Sequence, residues 1–312
     1  MTYVLVLVVL ALAVPWGGAV LARRLAGVLP PREACRALTA ASVLLAGGTV
    51  VALIGLFHVP FLASLEHVSL RRVLEAWPAA VPFAAAAGLV LSVQLVLLSK
   101  RLFQQRSLLK RAWQSVGHGG GEGDLLVIEE PEVDAFALPG YRGRGGRVVV
   151  TSGTLRTLKP AERDVLMAHE RAHLAGRHHV LSAVADLAAV VHPALRGVRS
   201  SLAFHLERWA DEVAAGTVGD RKTAAAAIAR AALARSSRDG AAGYPLLSAA
   251  RGPVPRRVEA LLRPAPVPPS GRARRTGIVL ALTLVLAVSG TMALTYGLHE
   301  YVEYAAVAVR GT

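Results

Sequence analysis

The chain predicts a mainly α-helical membrane protein of the α+β kind. About four transmembrane helices flank one domain outside the bilayer, where a small β-sheet precedes a helix carrying His-Glu-x-x-His. Three observations predict this. Four long apolar stretches punctuate the 312 residues, and basic residues crowd alternate connections between them. In addition, His169-Glu170-Arg171-Ala172-His173 falls inside a run of helical period, after three short strand-like segments.

The first apolar stretch, Tyr3–Ala22, carries no charge. No Lys or Arg precedes it, and Arg23 and Arg24 follow it. That is the wrong polarity for a cleaved signal peptide, so an uncleaved span is expected. Leu38–Leu65 holds His58 and is long enough to tilt or to end in an interfacial turn; Pro78–Ser99 is charge-free, and Gly277–Leu298 closes the set. Arg23, Arg24, Arg32 and Arg36 stand against Glu33 after the first span, and Lys100, Arg101, Arg106, Lys110 and Arg111 follow the third. Arg256, Arg257, Arg263, Arg272, Arg274 and Arg275 precede the fourth. By the positive-inside rule these connections face the cytoplasm. A multi-pass protein of the plasma membrane is therefore expected, with its N-terminus outside. Its parts are three spans in 1–99, a cytoplasmic domain in 100–275, and a final span with a short outer tail in 276–312. The more balanced loop Glu66–Trp77 fits the outer face.

Composition narrows the function classes. Apolar residues make up 54% of the chain but aromatic ones only 5%, so Leu, Val and Ala form the spans and cores. The single Cys35 excludes an intramolecular disulfide framework and a cysteine-based zinc site. The net charge of +14 sits largely beside the spans, where topology and anionic lipid account for it. No aromatic-studded strand or recognition-helix pattern accompanies it, so no nucleic acid is expected as a partner.

Lys100–Ser115 reads as a basic helix continuing the third span. Gly117–Gly123 is a Gly-rich joint, with His118 solvated in it. Leu125–Ile128 and Ala135–Leu138 are short strands, Pro139-Gly140 a turn, and Arg147–Thr151 a β-branched strand. An exposed edge strand at this place can hold an extended peptide by its main chain; equally, the sheet can simply cover the next helix.

That helix opens at Pro160, which suits a first turn, with Glu162 and Asp164 at its positive end. Residues four apart share a helix face, so His169 and His173 can offer their imidazoles to one metal ion. Glu170 then stands where a carboxylate can take a proton from water whose pKa zinc lowers towards ~7. This is the chemistry of a zinc peptidase; the alternative is an amphipathic helix with two surface histidines. Val180–Leu195 is too short and too polar for a span and reads as a buried or membrane-apposed helix. Ser201–Gly216 reads as the next helix, with Glu207 and Asp211 four apart on one face. Glu207 can complete a tetrahedral site, and Asp211 can accept the outer N–H of a ligand imidazole; the alternative is a solvated acidic edge. Thr223–Ser236 and Arg256–Leu262 are helices, the stretch from Tyr244 leads into the second, and Pro264–Ser270 is a stiff linker.

A rival spacing exists. His169-Glu170-x-x-His173-x-x-Gly176-x-x-His179 also fits the metzincin consensus, with His179 as third ligand. It needs Gly176 to break the helix and a Met-turn beneath the metal, and the only later methionine is Met292, inside the fourth span. His178 and His179 are therefore expected on a continuation of the helix, backing the ligands or facing lipid. Arg208 and His205 are near the metal helix by sequence, and neither is assigned to the oxyanion.

H-E-R-A-H, with E-R-W-A-D-E beginning 34 residues beyond His173, resembles the membrane gluzincin peptidases. These are the BlaR/MecR antibiotic-sensor type and its relatives, near the HtpX and CAAX-prenyl proteases. Their E-x-x-A-D is met by Glu207, Ala210 and Asp211, and D-A-F-A-L-P-G from Asp134 looks like the strand before their catalytic helix. The resemblance covers about residues 130–262. It implies a zincin-like domain, Zn2+, a Glu170 base, and endopeptidase activity on a regulatory or membrane-associated protein such as a repressor. Antibiotic sensors of this type carry a large outer domain after the last span. Only Glu300–Thr312 is expected there, which does not support direct β-lactam sensing. The competing function is a non-catalytic membrane signalling or scaffold protein that keeps zinc for folding; it should hold the metal with no open position, whereas a catalytic site should bind hydroxamate.

Overall fold

Long runs of Leu, Val and Ala leave the backbone its own i→i−4 hydrogen bonds as the cheapest partners in an apolar setting. In the computed structural model they form α1 (Thr2–Ala26), α2 (Pro31–Leu65) and α3 (Ala80–Ser115). The structure describes residues 2–65, 71, 74–75, 77–116, 123–236, 254–266 and 271–308. Polar side chains inside α2 are satisfied on the helix itself: Thr39, Ser42 and Thr49 donate to the carbonyls of Cys35, Leu38 and Leu45 at 2.8, 2.9 and 2.9 Å. α3 runs unbroken from the third apolar stretch through the basic Lys100–Ser115 segment, as expected. Its end is pinned where the buried Trp113 indole N–H donates to Pro139 O at 2.9 Å.

Among the described residues two helical stretches are long and apolar enough to cross a membrane, Pro31–His58 and Ala80–Ser115. The other two expected spans lie on α1 and on the last helix, α10 (Gly271–Ala308), where some side chains fall outside the described residues.

The three strands fall where the β-branched and alternating runs predict them: β1 (Leu125–Ile128), β2 (Ala135–Leu138) and β3 (Arg147–Thr151). Their order is β1-β3-β2, with β1 parallel to β3 and β2 antiparallel to it, Phe136 lying opposite Val149. Alternation then sorts the faces. Leu126, Phe136, Leu138 and Val149 pack on Ala112 and Trp113 of α3 and on Val116 just after it. Ala135, Val148 and Val150 face Leu155, Leu166 and Leu174, on the next two helices. β2 is thus an edge strand beside the H-E-x-x-H helix.

Short α4 (Ser152–Thr157) is capped by Thr151, whose hydroxyl accepts from Thr154 N. Gly153 meets the backbone at Pro131 and Glu132 so closely that a Cβ there would overlap both carbonyl oxygens. α5 (Pro160–Ala175) begins with Pro160 in its first turn, and Glu162 accepts from Lys159 N at 3.0 Å. After it come α6 (His178–Val191), α7 (Leu195–Val218), α8 (Arg221–Ser236) and α9 (Val254–Leu262).

Two expectations change here. α5 does not continue through the histidines: it bends by 58° into α6, because Arg177 takes a left-handed conformation (φ 48°) that no helix propagates. α7 starts at Leu195, before the expected Ser201, because Leu195, Val198 and Leu202 belong to the same buried face as Leu206. Most of the Gly-rich joint, His118 included, the stretch around Tyr244, most of the Glu66–Trp77 loop and part of the Pro264–Ser270 linker lie outside the described residues.

The largest core is shared. Ala19, Ala22 and Ala26 of α1, Leu38 and Leu45 of α2, Leu280 and Leu284 of α10, and Leu195, Leu202 and Leu206 of α7 form one buried cluster. Helices from both sides of residue 99 thus pack in one core.

Candidate metal centre

Small side chains decide where the polar ones meet. Ala168 of α5, Ala214 and Ala215 of α7, Ala224 and Ala225 of α8 and Leu261 of α9 share one cluster, and alanines allow close helix approach. The polar faces of α5, α7 and α9 converge on the same spot. His169, Glu170, Glu207, Asp211 and Arg257 are all buried there.

His169 Nε2 stands 3.1 Å from His173 Nε2 and 3.6 Å from Glu207 Oε2, and His173 Nε2 stands 3.5 Å from Glu207 Oε1. Tetrahedral ligands with bonds of roughly 2.0–2.1 Å stand about 3.3 Å apart. These three residues therefore form a group that could hold a metal ion, with one ligand atom from each. His179, the alternative third ligand, is exposed.

The charges agree with the distances. With both imidazoles neutral, Glu170, Glu207 and Asp211 face one guanidinium, that of Arg257, so a divalent cation brings the cluster to neutrality. Without one, the site takes a proton instead. Burial alone would push His169 down, but Asp211 and Glu207 outweigh it and hold the ring up at about 10. His173 goes the other way, to about 4: burial is the largest cause, and the charges of His169 and Arg257 add to it. Burial opposes the Glu207 carboxylate, yet His169 and Arg257 hold it at about 2. Asp211 is likewise held at about 2 against burial, by Arg257 first and then His169. At 3.1 Å, His169 Nδ1 is within hydrogen-bonding reach of Asp211 Oδ1, though off the line of the ring N–H.

Two partners were not legible as site residues. The first is Arg257, which counts in sequence as a topological charge. It is buried, donates to Asp211 Oδ2 and Oδ1 at 2.8 and 2.6 Å, and lies 2.7 Å from Glu207 Oε2. The available signal was its position on the apolar face of Val254, Val258 and Leu261. The second is the backbone of β2: Ala137 N–H donates to Glu170 Oε2 at 2.8 Å. That bond joins the carboxylate beside the metal group to the edge of the sheet. Of the two residues left unassigned to the oxyanion, Arg208 donates to Glu212 at 3.0 Å, and burial pushes His205 down to about 4.

The sequence model of Peptidase family M48 matches residues 104–266, just over half of the chain. The chain belongs to Peptidase family M48. Membership makes it a metal-dependent peptidase by family, and the matched segment contains His169, His173, Glu207 and Arg257. No curated protein and no solved structure matches the chain.

Proposed function

We propose that this chain is a polytopic membrane zinc endopeptidase of the gluzincin type. His169, His173 and Glu207 hold the metal, Glu170 is the general base, and Asp211 orients His169. The observation that carries the reading is the clustering of the three side chains: the two Nε2 atoms stand 3.1 Å apart, each has a Glu207 oxygen at 3.5–3.6 Å, and Glu170 is buried beside them. Zinc, when bound, supplies a Lewis acid towards water and the scissile carbonyl. Glu170 takes the proton from water and passes it to the leaving amine, while the Ala137 N–H holds one of its oxygens. Arg257 pairs with both Glu207 and Asp211, which favours their ionised forms when buried. The affinity to the BlaR/MecR type rests on H-E-R-A-H with E-R-W-A-D-E and on the stretch from Asp134.

For topology, four spans with the N-terminus outside and a cytoplasmic metallopeptidase domain in 100–275 remain the reading. It rests on the basic connections without Arg257. The substrate class is a regulatory or membrane-associated protein.

The test is zinc content together with hydrolysis of a quenched peptide library by detergent-purified protein. Glu170→Gln should keep its zinc and lose about 10²–10⁴-fold in rate. Full hydrolysis by a zinc-loaded Glu170→Gln protein refutes the mechanism. Glu207→Ala should lose zinc and His179→Ala should not; the reverse hands the third ligand to His179.

A further inference from the structure

Outside the residues assigned above, His178 is the buried polar side chain with the most specific placement. It opens α6, immediately after the left-handed Arg177, and its Nδ1 lies 2.8 Å from Nδ1 of His173. The two rings stand nearly perpendicular, at 87°. The His178 ring also packs on Trp209, with centroids 4.5 Å apart, and the Trp209 ring takes Arg32 of α2 at 5.7 Å. Gly176 makes room for the arrangement, since a Cβ there would overlap the ring at Nε2 and Cδ2. Its φ of −77° suits any residue, so the glycine is needed for space and not for conformation.

His173 turns Nε2 towards His169 and Glu207, so Nδ1 is its outward nitrogen. Two imidazole nitrogens 2.8 Å apart must share one hydrogen, because two lone pairs or two N–H groups would repel. A His173 ring that keeps Nε2 bare for a cation carries its hydrogen on Nδ1 and donates it to His178. The His178 hydrogen then sits on Nε2, which is buried without a hydrogen-bond partner. An unpaired buried N–H is unfavourable, so the ring holds this place at a cost, which its Nδ1 repays.

We propose that His178 is a positioning residue: by accepting from His173 Nδ1, in the space left by Gly176, it sets the tautomer and ring plane of that metal ligand. The inference rests on the metal-centre reading above and adds to it a partner that the helix bend supplies.

The test is zinc affinity of the full chain in detergent, by chelator competition, with melting of the metal-free protein alongside. His178→Phe keeps an aromatic ring beside Trp209 but offers no acceptor. His178→Asn places an amide oxygen near the position of Nδ1. Gly176→Ala keeps His178 and displaces its ring. The expected result is zinc binding weakened about 10–100-fold in His178→Phe and in Gly176→Ala, and nearly restored in His178→Asn. Metal-free Phe and Asn variants should melt alike. Wild-type affinity in His178→Phe, or equal loss in Phe and Asn, overturns the proposal. If His178→Phe does not fold, the Asn and Gly176→Ala arms decide: wild-type affinity in Gly176→Ala, or a 10-fold loss in Asn, overturns it. Wild-type protein without zinc, or zinc retained by His169→Ala, would instead refute the metal-centre reading itself.

Discussion

Replacing Arg257 by Leu removes a guanidinium that donates to Asp211 at 2.8 and 2.6 Å and lies 2.7 Å from Glu207. Charge-assisted hydrogen bonds contribute roughly 1.5–3 kcal/mol each, which would make three worth about 5–9 kcal/mol if nothing compensated. Compensation is substantial, because the guanidinium no longer has to be desolvated and the carboxylates can protonate. Removing one partner from a buried ion network costs about 3–5 kcal/mol in practice. At about 2–4 °C per kcal/mol for a domain of this size, metal-free Arg257→Leu should melt on the order of 10 °C lower near neutral pH. The assay is thermal melting in detergent at neutral and at acid pH, with zinc affinity measured alongside. The loss should shrink at acid pH, where protonated carboxylates no longer need the cation, and zinc should bind more weakly because Glu207 loses its anchor. Arg257→Lys should fall between, since an ammonium keeps the charge but cannot fork across Asp211. A melting point within about 2 °C of wild type at neutral pH, or a loss that does not change with pH, would refute the reasoning.

Two other expectations concern the surroundings. Gly153→Ala drives a methyl group into the carbonyls of Pro131 and Glu132, so it should lower the melting point by several degrees; a neutral result would show that this loop yields freely. The metal-free protein should be sensitive to acid. Asp211 and Glu207 are held at about 2, below their ordinary 3.8 and 4.5, so their stabilisation is fully present above those ordinary values. It is lost as pH falls from there through about 2, and an acid titration of melting temperature without a decline in that window would contradict the assigned pairings.

How legible the molecule was in its sequence differed between parts for identifiable reasons. The three strands and the start of α5 are dictated locally, by β-branched alternation and by Pro160 with Glu162, so they fall where expected. α7 starts earlier than expected because Leu195, Val198 and Leu202, spaced among arginines and serines, belong to a core shared with α1 and α2, which no local pattern announces. The break after α5 was missed because a left-handed Arg177 carries no sequence signature, whereas a glycine there would have. Arg257 was counted as a topological charge because the same basic composition serves at a membrane edge and in a buried ion pair.

The H-E-x-x-H period and the second acidic pair four residues apart determine which side chains can share a face, since helical geometry alone sets that relation. Local sequence likewise determines the strands and the apolar runs. Tertiary structure decided the rest: that α7 lies against α5 so that Glu207 joins the two histidines, that α9 brings Arg257 to the acids from 46 residues beyond Asp211, and that the bend brings His178 to His173. Those meetings depend on small alanines letting helices approach and on balancing buried charge. Both are properties of the packed molecule and not of any one stretch of it.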